Sequence, residues 1–406
     1  MHTLTDAGEA RLETFLEDLG DLLGDRRRKA SFATYALGLL GEGERKSVEP
    51  IAARAVGGAS DVEPAHQRLL HFLARSVWDD CAVRQFATRY ALKFMTEEQP
   101  IEACIIDDTG FLKQGSHSVG VQRQYTGSAG KIANCQIGVS LSLATRSDHL
   151  PIDFELYLPT SWTDDAARRR EARIPDDVVF KTKPELALEM LTRAHEAGLP
   201  LGVVLADAGY GSSSEFRLGV HRLGLPYSVG VSSTSKVFEV REVLNRGGQA
   251  IDLRKLATKL DAKGKFQRFT WRTGSRGELS ARFAMRRVTP CAEQGHDDER
   301  STVWLLIEWR DGEAEPANYY FSSLPQETSL DSLVAITTQR WRTERAYQDL
   351  KGELGLDHYE GRGFRGWHHH ISVVLCCYAF AVAERHRIFP LTTRRPRPGS
   401  PLRGTA

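Results

Sequence analysis

The sequence has little net charge and no regular cysteine spacing. Its 54 Lys and Arg residues are balanced by 53 Asp and Glu residues, which leaves a formal net charge of +1. Bulk charge therefore gives no argument for a nucleic-acid partner, and any basic surface must be local. The six cysteines form no CxxC pair, and two of them, Cys376 and Cys377, are adjacent. We therefore expect reduced thiols in a cytoplasmic protein.

The sequence also lacks a long apolar run. The most apolar late stretch, ISVVLCCYAFAVA, is shorter than the roughly 20 residues that a membrane-spanning helix needs, and we predict a buried helix instead. The first residues, MHTLTDAGEARLETFLEDL, are acidic and have no apolar core, so we expect no signal peptide. With 41% apolar and 26% charged residues, the composition is typical of a soluble globular protein with no membrane partner.

The hydrophobic pattern changes from helical to strand-like near residue 101. Residues 1–95 carry apolar side chains at helical spacing, as in ARLETFLEDLGDLL, and we predict a helical domain there. This segment contains the basic cluster RRRK at 26–29. The cluster suits phosphate contacts and an ordinary solvated turn equally well.

Four further segments follow from the pattern of apolar runs. Stretches rich in Val, Ile, Ser and Thr and cut by glycines, such as NCQIGVSLSLAT, indicate strands, whereas PELALEMLTRAHEAG indicates a helix. We predict the first part of an α/β core at 96–225, a β-rich insertion at 226–325, the second part of the core at 326–390 and a disordered basic tail at 391–406.

Acidic residues stand at the ends of two predicted strands. Asp107 and Asp108 end the apolar run of IIDDTG, Asp207 ends that of VLADAGYG, and Glu344 follows in a predicted helix. Acids at the carboxyl ends of neighbouring strands can converge with one from a helix packed across the sheet. Such a cup of oxygen ligands suits Mg²⁺ or Mn²⁺ rather than zinc. Two such ions, about 3.5–4 Å apart, can promote phosphodiester cleavage.

The segment LDSLVAITTQRWRTERAYQDLKGELGL at 330–356 is predicted to form one long helix that ends around Gly355. At 100° per residue, Arg340, Glu344 and Lys351 would point to one side of such a helix. A carboxylate flanked by two cations suits a metal site beside a phosphate backbone. Weak surface ion pairs such as Glu344 with Arg340 would have the same pattern.

Several of these strings together resemble one known family. IIDDTGFLKQG, VLADAGYG and RWRTERAYQDLKGELGLDHYEGR are similar to those of bacterial insertion-sequence transposases of the 701 group, which are relatives of the group 4 enzymes. The resemblance covers roughly residues 30 to 385. It implies a DDE catalytic domain with an RNase H-like α/β fold, in which helices flank a mixed sheet. It also implies an N-terminal helical domain and a β-rich insertion.

The resemblance also implies the site. The catalytic and metal-binding residues would be Asp107, Asp207 and Glu344, with Asp108 as an alternative to Asp107. They would hold two Mg²⁺ ions, for which Mn²⁺ could substitute. Rivals for the third acid are found shortly after Glu344, namely Glu353, Asp357 and Glu360.

The group 4 relatives carry a tyrosine, arginine, glutamate and lysine signature around the catalytic glutamate. Arg340, Glu344 and Lys351 match it, whereas Thr337 stands where the tyrosine would be. Arg340 and Lys351 would bind phosphates near the scissile bond. Three other basic residues are candidates for lining the same groove: Lys113, Arg123 and Lys131.

The implied activity is cut-and-paste transposition. The N-terminal helices would recognise terminal inverted repeats, and the core would free a 3′-hydroxyl that attacks target DNA. A homodimer on DNA would hold both element ends. The alternatives are an RNase H-like nuclease without strand transfer and a repurposed DNA-binding regulator.

Two further features of the sequence have a structural and a functional interpretation. Trp271 and Trp304, in the predicted insertion, could pocket a flipped base, but an aromatic core is the better interpretation for each. The triplet HHH at 368–370 is predicted to be polar surface or a phosphate contact, because adjacent rings on a helix point apart.

Overall fold

The computed structural model describes residues 6–239, 249–274, 277–291 and 302–390. The chain forms two compact units. Of the described residues, the first unit contains those at 6–100, 107–190 and 342–390, and the second contains those at 101–106 and 191–341. The predicted tail at 391–406 lies outside the described residues, as do parts of the predicted insertion. The boundaries that we predicted for the domains stay a prediction.

The first unit begins with helices, as predicted for residues 1–95. They are α1 (Asp6–Leu23), α2 (Arg26–Leu40), α3 (Val48–Ala55), α4 (Ala59–Ala74) and α5 (Asp80–Met95). Apolar residues at helical spacing explain the burial of one face of α1, where Leu12, Phe15, Leu16, Leu19 and Leu23 are buried. The side chain of Asp25 caps α2 by accepting hydrogen bonds from the backbone N–H groups of Arg27 and Arg28.

The strands of the first unit follow α5. They are β1 (Ala103–Leu112), whose first residues belong to the second unit, β2 (Gln122–Thr126), β3 (Lys131–Ala144) and β4 (His149–Tyr157). β3 pairs antiparallel with both β2 and β4, and β1 is its neighbour in the strand order. Besides the long last helix, the first unit also contains α6 (Thr160–Thr163), α7 (Ala166–Ala172), the first part of α8 (Lys183–Glu196), which runs into the second unit, and α13 (Arg342–Gly352).

The last helix, α14 (Phe364–Ile388), lies at the centre of the first unit. It contacts α2, α4, α5 and β4, and nearly all of its residues are buried. The predicted buried helix is thus confirmed. No helix among the described residues is long and apolar enough to cross a membrane.

The prediction that the His368–His370 triplet is polar surface is wrong. All three rings are buried, because α14 has neighbours on every side. The His369 ring stacks on Trp78 with 3.8 Å between ring centroids. Nδ1 of His370 lies 2.9 Å from the Tyr35 hydroxyl, and Nε2 of the same ring lies 3.1 Å from the Leu356 carbonyl oxygen.

The second unit is built on strands of both orientations. The first residues of β1 pair in parallel with β5 (Val203–Ala206), which pairs in parallel with β6 (Tyr227–Val231). β6 pairs antiparallel with β12 (Asn318–Ser322). The predicted mixed sheet is therefore confirmed, and its helices are α9 (Ala208–Gly211), α10 (Ser214–Arg222), α11 (Leu253–Ala262) and α12 (Leu330–Thr337).

The predicted β-rich stretch supplies most strands of the second unit. It contains β7 (Lys236–Glu239), β8 (Ile251–Asp252), β9 (Gln267–Gly274), β10 (Gly277–Pro290) and β11 (Val303–Trp309). Their apolar face forms a core with α12 in which Phe283, Trp304, Leu306 and Leu333 are buried and against which Trp271 packs. Nε1 of Trp304 donates to the Pro325 carbonyl oxygen at 3.0 Å. Both tryptophans therefore contribute to the core of this unit.

The long helix predicted for 330–356 is wrong, because it is interrupted. α12 ends at Thr337, a 3₁₀ turn occupies Thr338–Trp341, and α13 begins at Arg342. The Thr338 side chain offers the helix backbone a competing partner. The Thr337 hydroxyl lies 2.7 Å from the Ser228 hydroxyl, and the Thr338 hydroxyl donates to the Val334 carbonyl at 2.8 Å. Arg340 and Glu344 therefore do not share one α-helix.

A buried ion network gives the first prediction. The Arg84 side chain is buried, its Nε lies 3.1 Å from an Asp153 carboxylate oxygen, and its guanidinium also pairs with Asp80. Arg84→Met would leave both carboxylates without their cation, which should lower the free energy of unfolding by about 3–5 kcal/mol in urea titrations. Arg89→Met, on the exposed side of the same helix, should change it by less than about 0.5 kcal/mol. Equal stability of the two variants would contradict this assignment.

Buried histidines give the second prediction. Burial lowers the pKa of His149 and of His370 from 6.5 to about 4. The unfolded chain then binds these protons at higher pH than the folded chain, so stability is fully present above about pH 6.5 and is lost as the pH falls towards about 4. Denaturation curves across this interval should show the loss. His370→Gln should reduce the slope by about one proton. A flat profile in the parent would contradict the account.

Candidate active site

The two adjacent acids of β1 have different surroundings. Successive side chains of a strand point to opposite faces of the sheet. An Oδ2 atom of Asp108 accepts a hydrogen bond from Nζ of Lys183 at 2.9 Å. Oδ1 of Asp107 accepts one from the backbone N–H of Asp108 at 2.8 Å. Asp108 is thus part of an ion pair, and Asp107 lies on the other face of the strand.

The face of β1 that carries Asp107 is identified by its contacts with β3. A Cβ added to Gly138 would lie 3.0 Å from the Phe111 ring, so these two positions share a face. Phe111 and Asp107 are four residues apart in β1 and therefore also share a face. The Ser140 hydroxyl donates to the Asp107 carbonyl oxygen at 3.4 Å. Gly138 and Ser140 of β3 thus lie beside Asp107.

Helix α13 packs on this same face. The Tyr347 hydroxyl lies 2.5 Å from the Ser140 hydroxyl, and Nζ of Lys351 donates to the Gly110 carbonyl oxygen at 2.8 Å. Glu344 precedes Tyr347 by three residues and Lys351 by seven, which places it on the same stripe of the helix. It is exposed in the first turn of α13. Within the first unit, the structure therefore brings the Asp107 strand and the Glu344 helix together.

Lys351 fastens this helix to the strand. Besides the bond to Gly110, its Nζ donates to the Ser128 hydroxyl at 3.1 Å and lies 5.5 Å from the centre of the Phe111 ring. Burial lowers the pKa of its ammonium group. The phosphate contact of Lys351 stays a prediction, and in the structure its ammonium binds main-chain and hydroxyl oxygens of its own unit.

Asp207 belongs to the second unit and follows β5. Its Oδ1 accepts a hydrogen bond from the Gly209 N–H at 2.8 Å and so caps the short α9. The turn lies close to β6, because a Cβ added to Gly211 would lie 2.2 Å from the Gly230 carbonyl oxygen. This contact explains Gly211, the second glycine of ADAGYG. Pairing of β1 with β5 matches Ile105 with Leu205, and Asp107 and Asp207 each follow the matched residue by two positions.

The other predicted site residues have varied surroundings. Arg340 lies in the 3₁₀ turn of the second unit. Nζ of Lys113 donates to the Tyr359 carbonyl oxygen at 2.6 Å, and burial lowers its pKa. Arg123 and Lys131 are exposed on β2 and β3. The rival acids after Glu344 are all exposed: Glu353, Asp357 and Glu360.

In the part of the chain that the structure describes, no three His, Cys, Asp or Glu side chains are grouped so that they could hold a metal ion. The predicted donor set is nevertheless uniform in chemistry. Asp107, Asp207 and Glu344 offer only carboxylate oxygens, which suit hard divalent cations such as Mg²⁺.

The sequence reasoning missed the residues that hold these acids in place. Ser140 and Tyr347 link the helix to the strand, and Lys183 pairs with Asp108. The three-residue spacing from Glu344 to Tyr347 was a usable signal, because it predicts one helical stripe. Ser140 and Lys183 lie far from their partners in the chain, and no local pattern identifies them.

The comparison with known protein families agrees with the sequence motifs and the structural elements described above. The family model described as "DDE superfamily endonuclease" matches residues 18–278, and one described as "Transposase DDE domain" matches residues 181–380. The chain is also 31% identical over 217 residues to a protein of Microchaete diplosiphon described as "Probable transposase for insertion sequence element IS701". That match covers 53% of this chain and 52% of the relative, so the chain spans about half the length of the relative. The resemblance inferred from the sequence is confirmed.

One solved structure is similar to the chain at low sequence identity. The piggyBac transposase synaptic complex with hairpin DNA covers 92% of this chain and 68% of its own, at 9% identity and a TM-score of 0.46. A TM-score below 0.5 does not establish a shared fold.

The link between α13 and β1 gives the third prediction. If the Tyr347 and Ser140 hydroxyls bond to each other, Tyr347→Phe and Ser140→Ala should not have additive effects on the free energy of unfolding. A double-mutant cycle should give a coupling of about 0.5–1.5 kcal/mol. Pairing Tyr347→Phe with Ser142→Ala, further along β3, should give no coupling. Additive effects for the first pair would show that the helix is held in another way.

Proposed function

Because the chain belongs to the DDE superfamily endonucleases, we propose that it is a transposase that cuts DNA at the ends of a mobile element and joins the freed ends to target DNA. Its DNA partners are the terminal inverted repeats and the target. Two protomers act together, one on each end of the element. The protein works in the bacterial cytoplasm, on the nucleoid, where both DNA partners are found.

The observation that carries this proposal is the attachment of α13 to β1. Tyr347 and Lys351 hold the helix against the strand through Ser140 and Gly110. Since Glu344 lies on the same stripe of the helix, its carboxylate and that of Asp107 are presented from rigid elements rather than from loops. A site that must hold two charged oxygen ligands in fixed positions needs such support.

Asp207 is proposed as the third carboxylate. It stands two residues beyond Leu205 of β5, as Asp107 stands two residues beyond Ile105 of β1, and those two residues are matched in the parallel register. Asp108 is the weaker candidate for the first ligand, because its carboxylate pairs with the Lys183 ammonium. If Asp108 bound a metal ion instead, the half-buried ammonium of Lys183 would lose its carboxylate partner.

DDE transposase domains depend on divalent metal ions, and the all-carboxylate donor set fits this requirement. We propose that Asp107, Asp207 and Glu344 would hold two Mg²⁺ ions, with Mn²⁺ as a substitute. When bound, such ions supply Lewis acidity and a more acidic water or hydroxyl for phosphodiester chemistry.

The basic residues are proposed to contact DNA, some at phosphates near the acids and others at the inverted repeats. Arg123 and Lys131, exposed on the β2–β3 hairpin, and Arg340 bind DNA phosphates. Lys113 and Lys351 also contact DNA phosphates in this proposal. Each of them, in addition, donates a hydrogen bond to a protein carbonyl oxygen. The N-terminal helices α1–α5 carry the basic cluster at 26–29 and are proposed to bind the inverted repeats.

The fourth prediction concerns Glu344. Glu344→Gln keeps the shape of the side chain and removes the charge that would hold a metal ion. Stability should barely change, because Glu344 is exposed. DNA binding in chelator should persist. Mg²⁺-dependent nicking and strand transfer should fall by several orders of magnitude. The measurements are a melting curve, a binding titration and a cleavage assay on a single preparation.

Glu353→Gln is the matched control, because Glu353 is an exposed acid that directly follows α13. It should cut and join DNA like the parent. Activity in Glu344→Gln together with inactivity in Glu353→Gln would show that the third acid is misassigned. Cleavage by the parent without any joining of a pre-cut end would identify a nuclease rather than a transposase.

A further inference from the structure

The hairpin formed by β2, its turn at 127–130 and the first residues of β3 exposes a large apolar pair. We call residues 122–134 the edge hairpin, because β2 stands at one end of the strand order. Tyr125 and Ile132 are matched across the two strands, and they are 66% and 60% exposed. Edge strands are commonly protected by charges or proline. An exposed aromatic and β-branched pair at an edge therefore suggests a binding surface.

This pair lies on the Asp107 face of the sheet. Matched residues of antiparallel strands share a face, and alternate residues of one strand do so too. Ile132 is therefore on the face of Gly138 and Ser140, the two β3 residues beside Phe111 and Asp107. The β2–β3 register is regular from Gln122 to Thr126, which keeps Tyr125 on that face as well.

The turn of the edge hairpin is fixed to β1. The Ser128 hydroxyl accepts hydrogen bonds from the Gly110 N–H at 3.2 Å and from Nζ of Lys351 at 3.1 Å, and it lies 3.2 Å from the Thr109 hydroxyl. The contact is close, because a Cβ added to Gly110 would lie 1.9 Å from the Thr126 hydroxyl oxygen. The exposed pair is thus displayed by a hairpin attached to β1 a few residues beyond Asp107.

The charge of this region suits a polyanion. The sequence contains no Asp or Glu between Asp108 and Asp148, although it contains several Lys and Arg residues there. Arg123, matched with Asn134, and Lys131, matched with Thr126, are both exposed on the edge hairpin. A protein surface that combines an aromatic ring with flanking basic residues is typical of binding to unpaired nucleic acid.

We propose that the edge hairpin binds the unpaired bases at a DNA end. A base stacks on the Tyr125 ring with Ile132 as its apolar neighbour, while Arg123, two residues before Tyr125 and on the same face, binds an adjoining phosphate. The ligand class is single-stranded DNA next to a duplex. This inference rests on the proposed function, since it places the strand end on the face that carries Asp107.

The test measures binding in chelator, so that no cleavage intervenes. The probe is a short duplex with a 3′ overhang that contains 2-aminopurine, and a blunt duplex of the same sequence serves for comparison. The parent should bind the overhang more tightly than the blunt duplex and should quench the 2-aminopurine fluorescence. Tyr125→Ala should weaken binding of the overhang by about 10-fold, lose the quenching and leave binding of the blunt duplex unchanged. Tyr125→Phe should behave like the parent.

Val179→Ala is the control for loss of exposed apolar surface, because Val179 is 58% exposed outside the hairpin. It should retain overhang binding and quenching. Arg123→Gln should flatten the salt dependence of binding by about one charge for both duplexes. Melting curves should show that every variant folds, because the replaced side chains are exposed.

Several outcomes would overturn the inference. Retained quenching in Tyr125→Ala, or equal losses on overhang and blunt duplexes, would exclude base stacking. A change in self-association of Tyr125→Ala in sedimentation, with DNA binding unchanged, would make the edge hairpin an interface with a second copy of the chain. Failure of the proposed function is a separate result: the parent would then bind the overhang through Tyr125 but neither nick nor join DNA with Mg²⁺. A parent that binds no DNA would refute both.

Discussion

A short chain of hydroxyl contacts holds the helix that carries Glu344 against the strand that carries Asp107. It runs from the Tyr347 hydroxyl to the Ser140 hydroxyl and on to the Asp107 carbonyl oxygen. Lys351 adds a second attachment one turn further along the helix, at Gly110. Without these contacts α13 would be a short, strongly charged helix with little apolar surface to hold it. The placement of Glu344 beside the strand of Asp107 depends on this attachment.

The surrounding structure explains why the attachment can be rigid. α14 fills the centre of the first unit, and its three buried histidines are engaged by an aromatic ring, a hydroxyl and main-chain oxygens. β4 is fixed to α5 by the Arg84 network. The turn of the edge hairpin is fixed to β1 through Ser128. A site built from these elements has little freedom to move, which is what precise placement of charged ligands requires.

Much of the fold could be predicted from the sequence, because it depends on local periodicity. The helices before residue 101, the buried helix at 371–383 and the strand-rich block all follow from apolar spacing. The interrupted helix at 330–356 did not, because the Thr337 hydroxyl meets its partner, Ser228, only through packing, while the Thr338 hydroxyl binds the Val334 carbonyl oxygen one turn earlier. The exposure predicted for the histidine triplet was wrong for the same reason, because the exposure of a helical residue depends on how many elements pack against the helix.

The candidate site, too, could be predicted only in part from the sequence. The acids could be chosen because they close apolar runs, and from a resemblance that the family comparisons confirm. The predicted strand end at Asp107 is wrong, however, because β1 continues to Leu112, whereas Asp207 does directly follow β5. The individual surroundings of the acids could not be predicted, because the ion pair of Asp108 with Lys183 joins residues that are distant in the chain. Likewise, the sequence indicated a cation beside Glu344 but not that the Lys351 ammonium binds the Gly110 carbonyl oxygen.

The central claim is that Asp107, Asp207 and Glu344 bind divalent ions together, and the most direct measurement is anomalous diffraction from crystals of the protein bound to DNA and soaked with Mn²⁺. The account predicts anomalous peaks about 2.1 Å from carboxylate oxygens of all three residues, with the Asp108–Lys183 ion pair intact. Peaks coordinated by Asp108 in place of Asp107, or ions that leave Asp207 or Glu344 uncoordinated, would contradict it.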